Sequence, residues 1–190
     1  MGFLRWLFGK KEYISPRAIE HSSLGDYNTV NRLKGGGHGQ EAIDYMRKHG
    51  VAYNITRIYD NGVRVGNIPN HTHSKKKRRN MQAWFPKSWD RQKIKRAGQV
   101  VARGRIFPDG NAKYGHYDNV NVGIIRTNSK IATIFPASKQ RDRRGRARII
   151  VKDSPWGKSK IKNHGKVYRK YNIPKHKNSP RIRYSHLKTH

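Results

Sequence analysis

The sequence predicts an α+β domain, and three observations carry that prediction. A helix-forming segment comes early, an Asn-Gly turn sits between two β-rich runs, and short β-rich runs separated by turn residues follow a second helical stretch. The first predicted helix covers residues 40 to 49, because Gln40-Glu41-Ala42-Ile43-Asp44-Tyr45-Met46-Arg47 is rich in helix formers and Gly50 supplies a stop. A strand is predicted from Tyr53 to Tyr59. Asp60-Asn61-Gly62 then turns the chain, since Asn-Gly tolerates the positive φ angles of a tight hairpin, and Val63-Arg64-Val65 resumes the alternation. A basic loop follows, Ser74-Lys75-Lys76-Lys77-Arg78-Arg79, and then an aromatic strand from Met81 to Phe85. Ser88 reads as the N-cap of a second helix that runs to about Gly104. Strands over Arg103 to Phe107, Val120 to Arg126 and Lys130 to Pro136 close the domain, with turns at Asp109-Gly110 and Asn128-Ser129.

The chain has 190 residues, a one-domain length with room for an appendage. Its 43 Lys and Arg outnumber 11 Asp and Glu, for a net charge of +32. A polyanion is the expected partner, bound strongly and salt-sensitively. Structural RNA-binding proteins, nucleases and membrane-active peptides all share this composition. The absence of cysteine excludes disulfides, thiolate metal sites and a cysteine nucleophile.

The charge is uneven. Residues 137–190 hold 18 basic against 2 acidic residues, a net of +16 that is half of the total. That step places a boundary near Pro136 and divides the chain into an apolar and basic leader (1–16), a folded domain (17–136) and a basic extension (137–190). The extension contains the run Arg141 to Arg148 and the segment Pro174-Lys175-His176-Lys177, and is expected to be a partly disordered nucleic-acid-binding arm. Ile149-Ile150-Val151 reads as a single strand within it. The start, Met1 to Lys11, is apolar but short and interrupted by Arg5, unlike a signal peptide or a transmembrane helix. It reads as a small amphipathic plug or a peripheral membrane contact, with no stable membrane insertion expected.

Two histidines stand out, His21 in Glu20-His21-Ser22-Ser23-Leu24-Gly25-Asp26 and His38 after Gly35-Gly36-Gly37. Imidazole, with an unperturbed pKa of about 6.5, can take a proton from one oxygen and give one to another near neutral pH. Metal-free RNA cleavage needs that pair of transfers, from the ribose 2′-OH and to the departing 5′-oxygen. Glycines beside His38 permit close approach of a phosphate, and the helix after it offers N–H groups to an anion. The same stretch also reads as a plain glycine-rich turn. His71 and His73, two apart, could form a weak metal site with His116, but with no cysteine and few acids nearby they read as exposed loop histidines; no metal or other cofactor is expected.

Five segments together carry a family resemblance: Glu20-His21 with Leu24-Gly25-Asp26; Gly36-Gly37-His38; Asp60-Asn61-Gly62-Val63; Trp84-Phe85-Pro86-Lys87-Ser88-Trp89; and Lys130-Ile131-Ala132-Thr133-Ile134-Phe135-Pro136. In this order, over roughly residues 17 to 137, the chain resembles the bacterial EndoU endoribonucleases. Those are found as toxin domains of contact-dependent inhibition and other polymorphic toxin systems, and are related in fold to the coronavirus uridylate-specific endoribonuclease. The resemblance implies a barnase/EndoU/colicin/RelE-like fold and cleavage that leaves a 2′,3′-cyclic phosphate. It maps the catalytic histidines onto His21 and His38, with His38 as base and His21 as acid; sequence alone is compatible with the reverse.

Thr133 matches the family's threonine, while Phe135 stands where the family has tyrosine, keeping a stacking face and losing a hydroxyl. The catalytic lysine falls among Lys75, Lys76, Lys77 and Lys87, with Lys77 favoured. Gly37, Ser88, Lys76, Lys87 and Phe135 are candidate substrate contacts. RNA, with tRNA as a target by analogy, and an acidic immunity protein are the implied partners, and the site of action is the cytoplasm of a target cell if the domain is delivered. The competing expectation is a non-catalytic RNA- or DNA-binding protein built on the same body.

Overall fold

The computed structural model describes residues 12–78, 81–104, 107–109, 111–142, 145–146 and 149–152. The expected plug over residues 1 to 11 and the segment Pro174 to Lys177 lie outside the described residues. The fold is α+β, with small antiparallel sheets and few helices.

Helix α1 (Pro16–Ser23) starts where Ser15 Oγ accepts the Ala18 N–H at 3.1 Å and proline occupies the first turn. A two-stranded ribbon of β1 (Asp26–Tyr27) and β2 (Leu33–Gly35) leads to α2 (Gln40–Lys48), which ends close to the expected stop. Strands β3 (Asn54–Tyr59) and β4 (Arg64–Asn67) form the hairpin announced by Asn61-Gly62, and Gly62 has the positive φ of +85°. The expected basic loop is instead a one-turn helix, α3 (Ser74–Arg78). Lysine and arginine are good helix formers, and the Nδ1 atom of His71 accepts the His73 N–H at 2.8 Å ahead of that turn.

Strand β5 (Gln82–Trp84) pairs with β4, and helix α4 (Arg91–Arg103) follows. Its N-cap is Asp90, not Ser88: Asp90 Oδ1 accepts the Lys93 N–H at 2.8 Å. Ser88 stands two residues earlier, in the turn closed by Trp89 N–H to Pro86 O, where it is exposed while Trp89 is buried against Phe85. The strand expected at Arg103 to Phe107 begins later, because Arg103 is still the last residue of α4.

The second sheet is a meander of β6 (Phe107–Asp109), β7 (Ala112–Tyr117), β8 (Val120–Thr127) and β9 (Lys130–Pro136). Its turns at Asp118-Asn119 and Asn128-Ser129 both have two successive positive φ angles, the mirror-type geometry that matches strand twist. Strand β7 had no sequence signal, since its exposure repeats every three residues instead of alternating. Pairing continues past Pro136. Gln140 is buried and bonds Asn61, Asn121 and Ala137, while β10 (Arg141–Asp142) pairs with β11 (Gly145–Arg146). The strand expected at Ile149 is β12 (Ile149–Lys152), which extends the first sheet by pairing with β3, giving the order β12-β3-β4-β5.

Two apolar clusters hold these parts. Helices α1 and α4 cover one face of the meander through Ile19, Ile94, Ala97 and Val101, with Ile14 just ahead of α1, against Val122, Ile124, Ile131 and Ile134. Gly98 permits that closeness, since a Cβ there would lie 2.5 Å from Ile134 Cδ1. The second cluster packs Ile43 and Met46 of α2 on Ile55, Ile58 and Trp84. Ala83 and Phe85 belong to the first cluster and Trp84 to the second, so the β5 segment is buried on both sides, and Ala83-Trp84-Phe85 reads as a short continuous apolar run. Arg64, also buried, donates to Gln40 Oε1 at 2.6 Å and to the Phe85 carbonyl, tying the start of α2 to the end of β5.

The β3–β4 pairing leaves no room at Gly66, where a Cβ would lie 1.7 Å from the Asn54 carbonyl oxygen. Gly66→Ala should therefore lower the unfolding free energy by about 1–3 kcal/mol in urea titration followed by circular dichroism. An unchanged midpoint would mean that the two strands are not packed as described.

Candidate active site

The site is built where the glycine turn docks on the end of α1. The carbonyls of His21, Ser22 and Ser23 accept the N–H groups of Gly37, His38 and Gly39 at 2.9, 2.7 and 2.8 Å. Gly36 and Gly37 have φ angles of +66° and +69°, and a Cβ on Gly36 would sit 1.8 Å from the His21 carbonyl oxygen. The glycines are thus required by the backbone packing itself. Both polar groups of Gly37 are used internally: its N–H by His21, its carbonyl by Gln82 Nε2 at 2.9 Å.

This docking brings His21 and His38 together. His21, half-buried against Gly35 and Gly36, donates Nδ1–H to Asp26 Oδ2 at 2.6 Å, and Arg17 Nη2 donates to the other oxygen of the same carboxylate at 2.6 Å. His38 is only 5% exposed and meets a neutral partner, the Ala83 carbonyl, at 2.7 Å from Nδ1. A carbonyl can only accept, so Nδ1 carries the hydrogen and neutral His38 has its lone pair on Nε2. Burial first, and then the positive charge of Lys76, hold the His38 pKa well below its usual value, with the charge of His21 adding in the same direction.

Of the candidate lysines, Lys76 is the one bonded into the site. Its ammonium donates to Gln82 Oε1 at 3.0 Å, and burial pushes its pKa down to about 8. For Lys77, favoured from the sequence, the contact is made by the backbone, whose carbonyl accepts from Asn67 Nδ2. Lys75 is exposed, and so are Lys87 and Ser88 on the turn before α4.

Strand β9 supplies the facing wall. A bulge between Ile131 and Thr133 keeps Ile131 and Ile134 in the core and leaves Thr133 and Phe135 on the opposite face. The Phe135 ring lies 5.7 Å from that of His38 and 5.8 Å from that of Tyr114. Gly123 makes room for it, as a Cβ there would be 2.5 Å from Phe135 Cζ.

The family model described as bacterial EndoU nuclease matches residues 15–138. The chain belongs to that family. No curated protein and no solved structure matches it. The matched span of this EndoU nuclease contains every side chain just described and ends within three residues of Phe135. Asp26, Gln82 and Tyr114 were not foreseen as site residues. Asp26 had a signal, lying five residues beyond His21 in the same motif; Gln82 and Tyr114 had none, because the glycine turn and Phe135 that they meet are distant in sequence.

His71 and His73 part company. His73 is exposed as expected, but His71 is buried, and its Nε2–H has no hydrogen-bond partner among the described residues. Among the described residues no group of three or more His, Cys, Asp or Glu side chains is placed to hold a metal ion. Burial, then the charges of Lys76, His73 and Lys77, push the His71 pKa down to about 4. The neutral form belongs to the fold, so its contribution is full above the unfolded value of about 6.5 and is lost as pH falls toward about 4. Stability should decline over that window, and His71→Asn, which keeps an acceptor for the His73 N–H, should flatten the decline. An equally steep curve would place the titration elsewhere.

Proposed function

We propose that this EndoU nuclease is an endoribonuclease that cuts RNA without a metal, by attack of the ribose 2′-OH on the adjacent phosphate. The observation that carries the reading is the unlike partnering of two neighbouring histidines: a buried imidazole fixed by a neutral carbonyl, and a half-buried one fixed by a carboxylate. His38 Nε2 takes the 2′-OH proton. The 2′-oxygen bonds to phosphorus, the bond from phosphorus to the 5′-oxygen breaks, and His21 Nε2–H protonates the leaving oxygen, with Asp26 balancing the imidazolium that donates. The products are a 2′,3′-cyclic phosphate and a 5′-hydroxyl, and proton exchange with water resets both rings.

Lys76, not Lys77, stands beside this pair to offset the negative charge that grows on the phosphoryl oxygens. Thr133 offers a hydroxyl from the facing strand to the phosphate or a base edge, and Phe135 a stacking face worth on the order of 1–3 kcal/mol per base. With phenylalanine in place of the family's tyrosine, any hydrogen bond from that position is absent, and base preference rests on Thr133 and on stacking. The excess charge of the extension strengthens binding by releasing phosphate counterions. Membership of the family supports a toxin role, with tRNA as a target, an acidic immunity protein as partner and a target-cell cytoplasm as the place of action. No described helix is long and apolar enough to cross a membrane.

Total RNA incubated with the protein in excess chelator tests the reading. Fragments with cyclic phosphate ends are expected, and complete loss of cleavage on chelation would overturn the metal-free mechanism. His21→Ala and His38→Ala should each slow cleavage by roughly two to four orders of magnitude with RNA affinity nearly intact. Cleavage like the parent's by either variant would break the assignment, whereas tight binding without cleavage by the parent would favour the non-catalytic RNA- or DNA-binding reading. Because the ammonium form of Lys76 is the active one, the rate should also fall as pH rises through about 8.

A further inference from the structure

Gln82 is the first residue of β5, is completely buried, and joins two parts of the site that are distant in sequence. Its Nε2 donates to the carbonyls of Gly36 at 3.2 Å and Gly37 at 2.9 Å, and its Oε1 accepts from Lys76 Nζ at 3.0 Å. The amide can face only one way, because two carbonyls cannot donate and an ammonium cannot accept. We propose that Gln82 is a positioning residue that couples the lysine ammonium to the glycine turn beneath His38, so that base and cation keep a fixed separation during cleavage.

Three features support the coupling. The neighbouring backbone carbonyl on the same strand, that of Ala83, holds His38 Nδ1, so two successive residues of β5 mount the base and the cation together. The acceptor is neutral, which holds an ammonium in place without cancelling the charge a phosphorane would need; a carboxylate there would form an ion pair instead. The charged and titratable groups around Lys76 are His38 on the glycine turn, His71 and His73 on the preceding loop, and Lys75 and Lys77 beside it in α3, all of them basic. Glutamine thus supplies a neutral anchoring oxygen to a buried ammonium whose neighbours among the described residues include no carboxylate.

The inference rests on the nuclease reading above, and two readouts separate their failures. In RNA cleavage, Gln82→Met, close in volume but without polar atoms, should lower kcat about 10- to 100-fold with KM changed less than about threefold. Gln82→Glu keeps an oxygen for Lys76, and the basic limb of its pH profile should move up by about one unit or more. Independently of activity, the 13Cε signal of Lys76 should titrate near pH 8 in the parent and at higher pH in Gln82→Glu, both proteins being folded by circular dichroism. A parent that cleaves no RNA, together with a Lys76 titration displaced upward in Gln82→Glu, would sink the nuclease reading and support the Gln82 contact. An unmoved Lys76 titration in folded Gln82→Glu, or parent-like kcat in Gln82→Met, would overturn the positioning role.

Discussion

The geometry of the site depends on three hydrogen bonds between the glycine turn and the end of α1. They join the carbonyls of residues 21 to 23 to the N–H groups of residues 37 to 39, and so set one histidine against the other through backbone alone. Such bonds form only if the turn can lie flat on the helix end, and there the Gly36 Cα hydrogen faces the His21 carbonyl with no space for a methyl group. The helix itself gains, since its last carbonyls would otherwise lack partners. A single contact thus satisfies a helix terminus and places two catalytic candidates side by side.

From that contact the rest of the molecule can be read as support. Strand β5 lies beneath the turn and is buried on both sides, which gives the Ala83 carbonyl and the Gln82 amide fixed positions. The Phe85 N–H also donates to the His38 carbonyl at 2.8 Å, so the turn is held by α1 on one side and by the β5 segment on the other. Ser22 adds a second link, its hydroxyl donating to the Ala18 carbonyl and accepting the Ile134 N–H, which fixes β9 and with it Thr133 and Phe135 relative to His21. The two imidazoles then differ because their surroundings differ. One is buried beside a cation and kept neutral; the other shares a carboxylate with Arg17 at the surface.

Much of this was legible in the sequence wherever local chemistry decides. Helix α2, the Asn61-Gly62 hairpin, the Asn128-Ser129 turn and strands β8 and β9 follow from periodicity and turn residues. The pair His21 and His38 stood out through their spacing and the glycines. What could not be read depended on burial and on long-range partners. The run Ser74 to Arg78 is polar throughout and has no apolar face to mark it as a helix, so its choice of Lys76 over Lys77 is set by tertiary contact. His71 carries no sign in the sequence that it is buried. Ser88 and Asp90 are both good caps two residues apart, and the burial of Trp89 decides between them. The charge step at Pro136 is a real feature of composition, yet the side chain of Gln140 and the backbone of β12 continue bonding to the body beyond it.

The central claim is that His38 waits as a neutral base, with its hydrogen on Nδ1 and its lone pair on Nε2. Ring 15N chemical shifts of histidine-labelled protein at pH 7, with His38→Ala used to assign the signals, report both protonation and tautomer directly. The account predicts a protonated Nδ1 and an unprotonated Nε2 for His38. An imidazolium, or a hydrogen on Nε2, would contradict it.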